Sequence, residues 1–413
     1  MKSIDLLITH AEELITLQGP NRPRKKEEMN ELGIVKNGMI AIDHGTIIDI
    51  GTNLSYDARK VVNAKDNIVV PGFIDPHTHL VFSGSREFEL DWKLRGLSYM
   101  DIKKKGGGID YTVTHTRNAS FDLLYQQGKQ RLDTMLSYGT TTCEAKSGYG
   151  LNVETEQRIL DVQNQLHKDH SIDVISTFLG AHSVPKEMDG EGYVDLVIDD
   201  MIPMAKSRAA FCDVFCEQGF FSIDQSRRIL KAGKKEGLTP KIHADELVDT
   251  GGGKLAAEVG AISAEHLLKT NMESMKKMAE KNVIGVILPG TPFSLMMKEY
   301  APARQMIDSG VPVALATDLN PNCYVENMQF MMQLGCFEMK MTPAEVLSAA
   351  TFNAACAINK QDRIGSLEIG KQADVLIMNI PNHLMIPYHF GINHVKTVIK
   401  NGKIVNNNVK EID

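Results

Sequence analysis

The central part of the chain alternates short apolar runs with longer amphipathic stretches. The apolar runs, each typical of a buried strand, are 68–74, 140–145, 174–179, 211–216, 240–243, 261–264, 283–288 and 313–316. Stretches with helical spacing lie between them, including 121–136, 154–167, 222–235, 273–281 and 300–307. Eight strand–helix units in this order predict an α/β fold, a (β/α)8 (TIM) barrel. A doubly wound open sheet is the alternative, but no Gly-x-Gly-x-x-Gly follows a strand to indicate a dinucleotide site.

Both ends of the chain show a different pattern, with short alternating segments typical of half-buried strands. Residues 39–42 and 46–50 flank His44-Gly45, which predicts a tight hairpin. Residues 373–378 and 395–399 indicate two further strands. We therefore predict a small β-sandwich domain built from residues 1–66 and 361–413, with the barrel of residues 67–360 inserted between its halves. The charged segment 21–31, which contains proline, is expected to form a mobile loop.

Composition narrows the classes of protein that fit this pattern. The 413 residues are 43% hydrophobic and 23% charged, which is typical of a globular protein. The net charge of -7 gives no indication of a nucleic-acid surface. No signal peptide or run long enough to span a membrane is evident, so we expect a cytoplasmic protein. The six cysteines form no Cys-x-x-Cys motif and are expected to be reduced core residues.

Polar and titratable residues follow most of the predicted barrel strands, where barrel active sites form. His77 and His79 end the first strand, and residues two apart in a strand share one face. Two such imidazoles are half of a metal site. The other strands are followed by these residues: Lys146 to Gly150 after the second, His182 after the third, Glu217 after the fourth, His243 and Glu246 at the fifth, His266 at the sixth, and Asp318 and Asn320 after the eighth.

A complete metal site can be assembled from these strand ends. His77, His79, His243 and Asp318 offer three nitrogens and one oxygen, which suits Zn2+ or Fe with an open position for water. A bound ion lowers the pKa of its water toward neutrality, and Asp318 can accept the proton. His266 can hydrogen-bond the water or a developing oxyanion. Glu246 either orients the substrate and shuttles a proton or merely begins a helix.

The arrangement of these residues resembles the amidohydrolase superfamily. Within it, the following segments resemble the imidazolonepropionases: Pro76 to Phe82, Gly84 to Glu87, Gly106 to Ile109, Lys146 to Leu151, Gly180 to His182, Ile242 to Glu246 and Pro387 to His389. This family opens the ring of 4-imidazolone-5-propanoate to N-formimidoyl-L-glutamate in histidine breakdown. The resemblance implies the ligand set given above, a small-molecule substrate, no nucleic-acid or membrane partner, and a homodimer.

The resemblance also implies a set of substrate contacts: Arg86, Tyr149, His182, Glu246, Asn320, Asn322 and Cys323. A guanidinium pairs with a carboxylate bidentately, so Arg86 is expected to bind the propionate. Tyr149 lies between two glycines, and His182 is expected to bond the ring carbonyl as an electrophile. The family pattern usually has glycine and a small hydroxyl residue after Pro321, where this chain has Asn322-Cys323, so the contacts from these two positions are open.

The resemblance also bears on the number of metal ions and on the alternative functions. Many superfamily members bridge two metals with a carboxylated lysine at strand four, but strand four here ends near Glu217 without a lysine, which predicts one Zn2+ or Fe per chain. The alternatives in function are another cyclic amidohydrolase or deaminase, and a catalytically inactive barrel that acts as a scaffold. Arg86 and Tyr149 argue against a deaminase of neutral bases, and the complete ligand set argues against an inactive scaffold.

Overall fold

Residues 2–97 and 99–407 are described by this computed structural model, so residues 408–413 of the predicted C-terminal segment lie outside the described residues. Seven strands precede the barrel: β1 (Ser3–Ala11), β2 (Glu13–Ile15), β3 (Ile34–Val35), β4 (Gly38–Asp43), β5 (Thr46–Gly51), β6 (Asp57–Asn63) and β7 (Ile68–Pro71). The predicted hairpin is confirmed, because β4 and β5 pair antiparallel across His44 and Gly45, both at positive φ.

Eight parallel strands form the barrel, and each pairs with the next along the chain. They are β8 (Phe73–Asp75), β9 (Thr140–Lys146), β10 (Asp173–Ala181), β11 (Phe211–Cys216), β12 (Thr239–Ala244), β13 (Ser263–His266), β14 (Ile284–Ile287) and β15 (Val313–Leu315). Beyond the strand ends the first and last strands meet, since His79 N–H donates to Leu319 O at 2.8 Å and Asp318 N–H donates to His77 O at 3.1 Å. The predicted (β/α)8 barrel is therefore confirmed.

Helices surround the barrel and fill the connections at its two ends. Their bounds are α1 (Phe88–Leu94), α2 (Tyr99–Lys104), α3 (Ile109–Asn118), α4 (Phe121–Ser137), α5 (Val153–Asp169), α6 (Gly190–Leu196), α7 (Ile202–Ala205), α8 (Ile223–Lys235), α9 (Gly252–Val259), α10 (Met272–Lys281), α11 (Gly290–Ser294), α12 (Ala303–Ser309), α13 (Met328–Phe337), α14 (Pro343–Ala349), α15 (Phe352–Ala357) and α16 (Met385–Tyr388). A 3-10 turn spans Lys26–Asn30 and a π-helical turn spans Val197–Met201. No helix among the described residues has the length and apolar character needed to cross a membrane.

The two chain ends build the two sheets of the small sandwich. The C-terminal strands are β16 (Val375–Met378), β17 (Val395–Lys400) and β18 (Lys403–Asn407). One sheet has the order β5-β4-β1-β6, and the other has the order β18-β17-β16-β7-β2-β3. Side chains from both sheets, such as Ile40 and Val375, share one apolar core. The exact domain boundaries stay a prediction.

Two sequence interpretations need correction. The apolar run 68–74 is two strands, because Ile68–Pro71 pairs with β2 and β16 of the sandwich and only Phe73–Asp75 enters the barrel. Gly72 lies at the transition, where a Cβ would approach Thr141 Oγ1 to 2.2 Å. The segment 21–31 is anchored rather than a free loop, because Arg24 and Met29 are buried and Asn353 bonds both backbone polar groups of Arg24.

Candidate active site

Barrel closure brings the predicted metal ligands from the first and last strands together. Asp318 Oδ1 lies 3.3 Å from His77 Nε2 and 3.6 Å from His79 Nε2, and all three side chains are nearly fully buried. His243, from the end of β12, places its ring centroid 4.6 Å from that of His77 and 5.6 Å from that of His79. The four predicted ligands therefore meet at the C-terminal end of the barrel.

The donor atoms of this cluster fit a cation. His77, His79 and His243 each offer a ring nitrogen within 4.8 Å of the others. Ring nitrogens of His77 and His266 lie within the same distance of each other and of a carboxylate oxygen of Asp318. The Nε2 atom of His243 is buried and lacks a hydrogen-bond partner among the described residues, and His77 Nε2 faces Asp318 Oδ1 at 3.3 Å. Buried polar atoms are normally satisfied, so the orphaned nitrogen of His243 indicates a missing ligand. Thr291 Oγ1 donates to Asp318 Oδ2 and leaves Oδ1 facing the histidines.

A second layer of charged residues lies beneath the histidines, and we call Glu144, Lys146, Asp213, Lys241 and Glu265 the barrel floor. The side chains of all five are completely buried. Lys146 Nζ lies 2.8 Å from one carboxylate oxygen each of Glu144, Asp213 and Glu265. Lys241 Nζ lies 3.0 Å from Glu144 and from Glu265. Such buried charges are tolerated only when they are paired in this way.

The barrel floor also orients two of the histidines. His77 Nδ1 lies 2.5 Å from Glu265 Oε2, and His243 Nδ1 lies 3.0 Å from Asp213 Oδ2. Burial opposes charge on His77, but the Glu265 carboxylate raises its pKa to about 9. Burial acts against ionisation of Asp213 too, yet Lys146 and His243 hold its pKa below the usual range. A carboxylate on one ring nitrogen directs the other toward a metal, as in many metal sites.

Glu246 and His266 lie next to the ligand cluster. Glu217 fixes the Glu246 backbone, since its Oε2 accepts from the N–H groups of Glu246 and Leu247 at 2.9 Å. Burial, with added repulsion from Asp318 and Glu217, raises the pKa of Glu246 to about 8. His266 Nδ1 lies 3.8 Å from Glu246 Oε2, and burial lowers the pKa of His266 to about 3. The backbone of His266 has φ of 73°, a strained conformation that recurs at functional sites.

Tyr149 and His182 form one wall above the histidines. The His182 ring stacks on His79 with centroids 4.9 Å apart, and its Nδ1 lies 3.0 Å from Gly148 O. Burial lowers the pKa of His182 to about 3, so the ring is neutral. Glu156 holds the loop that carries Tyr149, because its carboxylate accepts from the N–H groups of Gly148, Gly150 and Leu151 at 2.7 to 2.9 Å.

The rim of the site carries charges of both signs. Arg86 is buried and forms a bidentate pair with Glu89, with both N···O distances 2.8 Å. Lys93 lies one turn beyond Glu89 on α1, and its Nζ donates to Asn322 Oδ1 at 2.6 Å. We call Arg86, Glu89, Lys93 and Asn322 the rim cluster. The predicted contact of Arg86 with the propionate stays a prediction, and the structure adds that the guanidinium is already paired with Glu89.

Asn320 and Cys323 organise the loop after Asp318. The Asn320 amide donates to Asp318 O at 2.7 Å, and its Oδ1 accepts from the N–H groups of Asn322 and Cys323. The Cys323 thiol is buried and its side chain lines a neighbouring cavity rather than the site. The sequence left the substrate contact of Cys323 open, and it stays a prediction; the position of the thiol favours a contact from the backbone over one from the side chain.

One cavity of about 710 Å³ connects the ligand cluster, the wall of Tyr149 and His182, and the rim cluster. The predicted residues that line it are His79, Arg86, Tyr149, His182, His243, Glu246, His266, Asp318, Asn320 and Asn322. His77 lies below, completely buried. The cavity is large enough for a small heterocycle, and its polar groups converge at the base and at the rim.

Sequence reasoning missed most of the barrel floor and the partners of Arg86. A signal for the floor exists, because Glu144 and Lys146 are two residues apart on β9, as are Lys241 and His243 on β12. Residues two apart on a strand share one face, so a charged residue two positions from an inward-facing histidine also points into the barrel. No comparable signal marks Glu89 and Lys93, since charged residues on a short helix are usually exposed.

A (β/α)8 barrel with three histidines and an aspartate at its strand ends is the architecture of a metal-dependent amidohydrolase. The family model described as "Amidohydrolase family" matches residues 221–405. Among solved structures, the chain is similar to an adenosine deaminase from Xanthomonas campestris with bound zinc, at a TM-score of 0.73 and 17% identity, covering 100% of this chain and 95% of that one. It is also similar to an atrazine chlorohydrolase from Arthrobacter aurescens complexed with zinc. The TM-score is 0.74 at 15% identity, and the match covers 98% of this chain and 95% of that one. These likenesses show the fold.

Curated relatives narrow the class. An imidazolonepropionase of Alkaliphilus metalliredigens is 52% identical over 97% of this chain and 98% of its own length. One of Geobacillus kaustophilus is 52% identical over 98% of this chain and 99% of its own. The chain belongs to the imidazolonepropionase family.

Proposed function

We propose that the chain hydrolyses a ring C–N bond of 4-imidazolone-5-propanoate and releases N-formimidoyl-L-glutamate. Membership of the imidazolonepropionase family makes it a hydrolase of a cyclic amide. The observation that carries the proposal is that a single cavity joins the histidine–aspartate cluster to a cationic rim. The substrate has a hydrolysable ring at one end and a carboxylate at the other, and this cavity offers matching chemistry at both ends.

The amidohydrolase family depends on metal, and this chain's donors fit one divalent zinc or iron ion held by His77, His79, His243 and Asp318. When bound, such an ion polarises a carbonyl and makes a water molecule more acidic. The charge of the barrel floor supports a single ion. Histidines bind a metal in their neutral form, so with the ion in place the three carboxylates and two ammonium groups of the floor leave one net negative charge, Asp318 adds a second, and one divalent cation neutralises both. Lys146 already occupies the space between the floor carboxylates.

The chain's own residues divide the proton transfers between them. Asp318 accepts the proton of the attacking water, because Thr291 holds one of its oxygens and the other faces the reacting centre. Glu246 donates a proton to the leaving ring nitrogen, since its raised pKa of about 8 keeps it protonated at neutral pH. Neutral His266 lies near both carboxyl groups and stabilises the developing oxyanion.

The role of His182 differs from the sequence prediction of an electrophile. Gly148 O can only accept, so the neutral His182 ring places its proton on Nδ1. Its Nε2 is then an acceptor, which suits a ring N–H of the substrate rather than the ring carbonyl. Tyr149 closes the same wall, and Arg86 faces the propionate with the part of its guanidinium that Glu89 leaves free.

Turnover of imidazolonepropionate by the wild type and by His77→Ala tests the proposal. We expect the wild type to release formimidoylglutamate and His77→Ala to lose several orders of magnitude in rate. His44→Ala, on an exposed turn of the sandwich, is the matched control and should keep full activity. Turnover of a purine or pyrimidine, with no turnover of the imidazolone, would instead favour a deaminase. The cytoplasmic location and the homodimer stay predictions.

A further inference from the structure

We propose that Lys93 is a substrate-recognition residue that supplies the net positive charge for the substrate's carboxylate tail. This inference rests on the proposed function and deepens it. It assigns the tail to a pair of cations, Arg86 and Lys93, rather than to Arg86 alone.

The charge of Arg86 is balanced before any substrate arrives. Its Nε and Nη2 donate to the two carboxylate oxygens of Glu89, each at 2.8 Å, and both side chains are buried. The same carboxylate accepts from the Gly108 N–H, so Glu89 is held in place independently of Arg86. A substrate carboxylate approaching Arg86 therefore meets an ion pair whose net charge is zero.

Lys93 is a cation without a carboxylate partner among the described residues. Its Nζ donates to the neutral amide oxygen of Asn322 at 2.6 Å, which positions the ammonium group without cancelling its charge. Burial lowers the pKa of Lys93, and an arriving anion would offset that penalty. The rim cluster of two cations and one carboxylate thus carries one net positive charge, and Lys93 is its source.

The position of Lys93 fits contact with a ligand. Lys93, Arg86 and Asn322 all line the 710 Å³ cavity and also a second cavity of about 1020 Å³ beside it. They therefore form the wall between the reacting centre and the neighbouring space. Asn322 holds the ammonium group of Lys93 in this wall by accepting its hydrogen bond.

This geometry predicts selectivity for ligands with an acidic tail. A suitable probe pair is imidazole-4-propionate and its propionamide, which share shape but differ by one charge. Both lack the ring carbonyl, so they report binding without turnover. An ammonium group acts as a point charge on a carboxylate and gains much less from a neutral amide.

The experiment measures inhibition constants of both probes, and KM and kcat for imidazolonepropionate, in the wild type, Lys93→Met, Lys93→Arg and Lys129→Met. Lys93→Met should weaken the acid probe and raise KM by about 10- to 100-fold, with kcat nearly unchanged. The amide probe should bind as before. Lys93→Arg should restore much of the affinity, and Lys129→Met, which removes an exposed charge on α4, should change nothing.

Equal losses for the acid and amide probes in Lys93→Met, or no loss for either, would overturn the inference. The ratio of the two probes is read within one variant, so partial misfolding affects both equally. Failure of the wild type to hydrolyse imidazolonepropionate would contradict the proposed function instead. An active wild type with an unchanged acid-to-amide ratio in Lys93→Met would contradict the role of Lys93 alone.

Discussion

The barrel floor and the rim cluster both contain buried ion pairs, but the rim also carries the cation Lys93, which has no carboxylate partner in the part of the chain that the structure describes, and the two regions differ in what holds them. The floor residues stand on the central strands β9, β11, β12 and β13 and are completely buried. The rim residues stand on α1 and on loops, and Lys93 and Asn322 are partly exposed. The floor can therefore hold the histidines in a fixed geometry, whereas the rim can adapt to a substrate. Changes in the floor should affect stability and metal binding, and changes in the rim should affect substrate affinity.

The largest effect is expected when the floor loses its central cation. Lys146→Met leaves three carboxylates in a buried site with Lys241 as the one remaining ammonium group of the floor, and Lys241 contacts Glu144 and Glu265 but not Asp213. Removing one partner of a buried ion pair costs about 3–5 kcal/mol in the free energy of unfolding. Chemical denaturation of the purified variant measures this loss. Lys277→Met, which breaks an exposed pair on α10, is the control and should change the free energy of unfolding by less than about 1 kcal/mol. If both variants lost the same free energy of unfolding, the floor would be no more important for stability than the surface.

Removal of the Glu246 carboxyl should lower kcat by about 10² to 10⁴-fold, as loss of a general acid does. The pH profile separates this role from a structural one. The raised pKa of about 8 means that the proton is present below that pH and is lost as pH rises through it, so wild-type kcat should decline above about pH 8. Glu246→Gln should lack this alkaline limb. If kcat of Glu246→Gln still declined above about pH 8, the proton for the leaving nitrogen would come from another group.

A smaller effect is expected at the support of a ligand. Glu265→Gln keeps the shape of the floor but weakens the contact that orients His77. Loss of such a partner typically lowers metal affinity by about 10- to 100-fold. Competition with a chelator of known affinity measures this, and Glu273→Gln on the surface of α10 is the control. Wild-type affinity in Glu265→Gln would mean that the histidine is held by packing alone.

The smallest effect is expected at the rim. Arg86→Lys replaces a bidentate pair with a point charge, so it should raise KM for imidazolonepropionate about tenfold and leave kcat and metal content unchanged. Arg95→Lys, in an exposed pair beside the same helix, should have no effect on either. A fall in metal content in Arg86→Lys would show that the rim and floor are not independent.

The same contrast explains what could be predicted from the sequence. Strand periodicity located the barrel and put His77, His79, His243 and Asp318 at strand ends, because strand direction and side-chain alternation are local properties. The ion pair of Arg86 with Glu89 and the bond between Lys93 and Asn322 depend on how α1 packs over the barrel mouth. Lys93 and Asn322 are 229 positions apart, and no local pattern reports such a contact. In the sequence, Pro71 and Gly72 visibly interrupt the apolar run 68–74, but nothing local shows that its two parts join different sheets, because strand partners are distant in the chain.

In the proposed site, four protein ligands above the barrel floor hold one divalent cation. Metal analysis of the purified chain, by mass spectrometry after removal of loosely bound ions, tests it most directly. We predict one equivalent of zinc or iron per chain in the wild type and far less than one in Asp318→Ala, which removes the ligand oxygen. Two equivalents in the wild type, or one full equivalent retained in Asp318→Ala, would contradict the account.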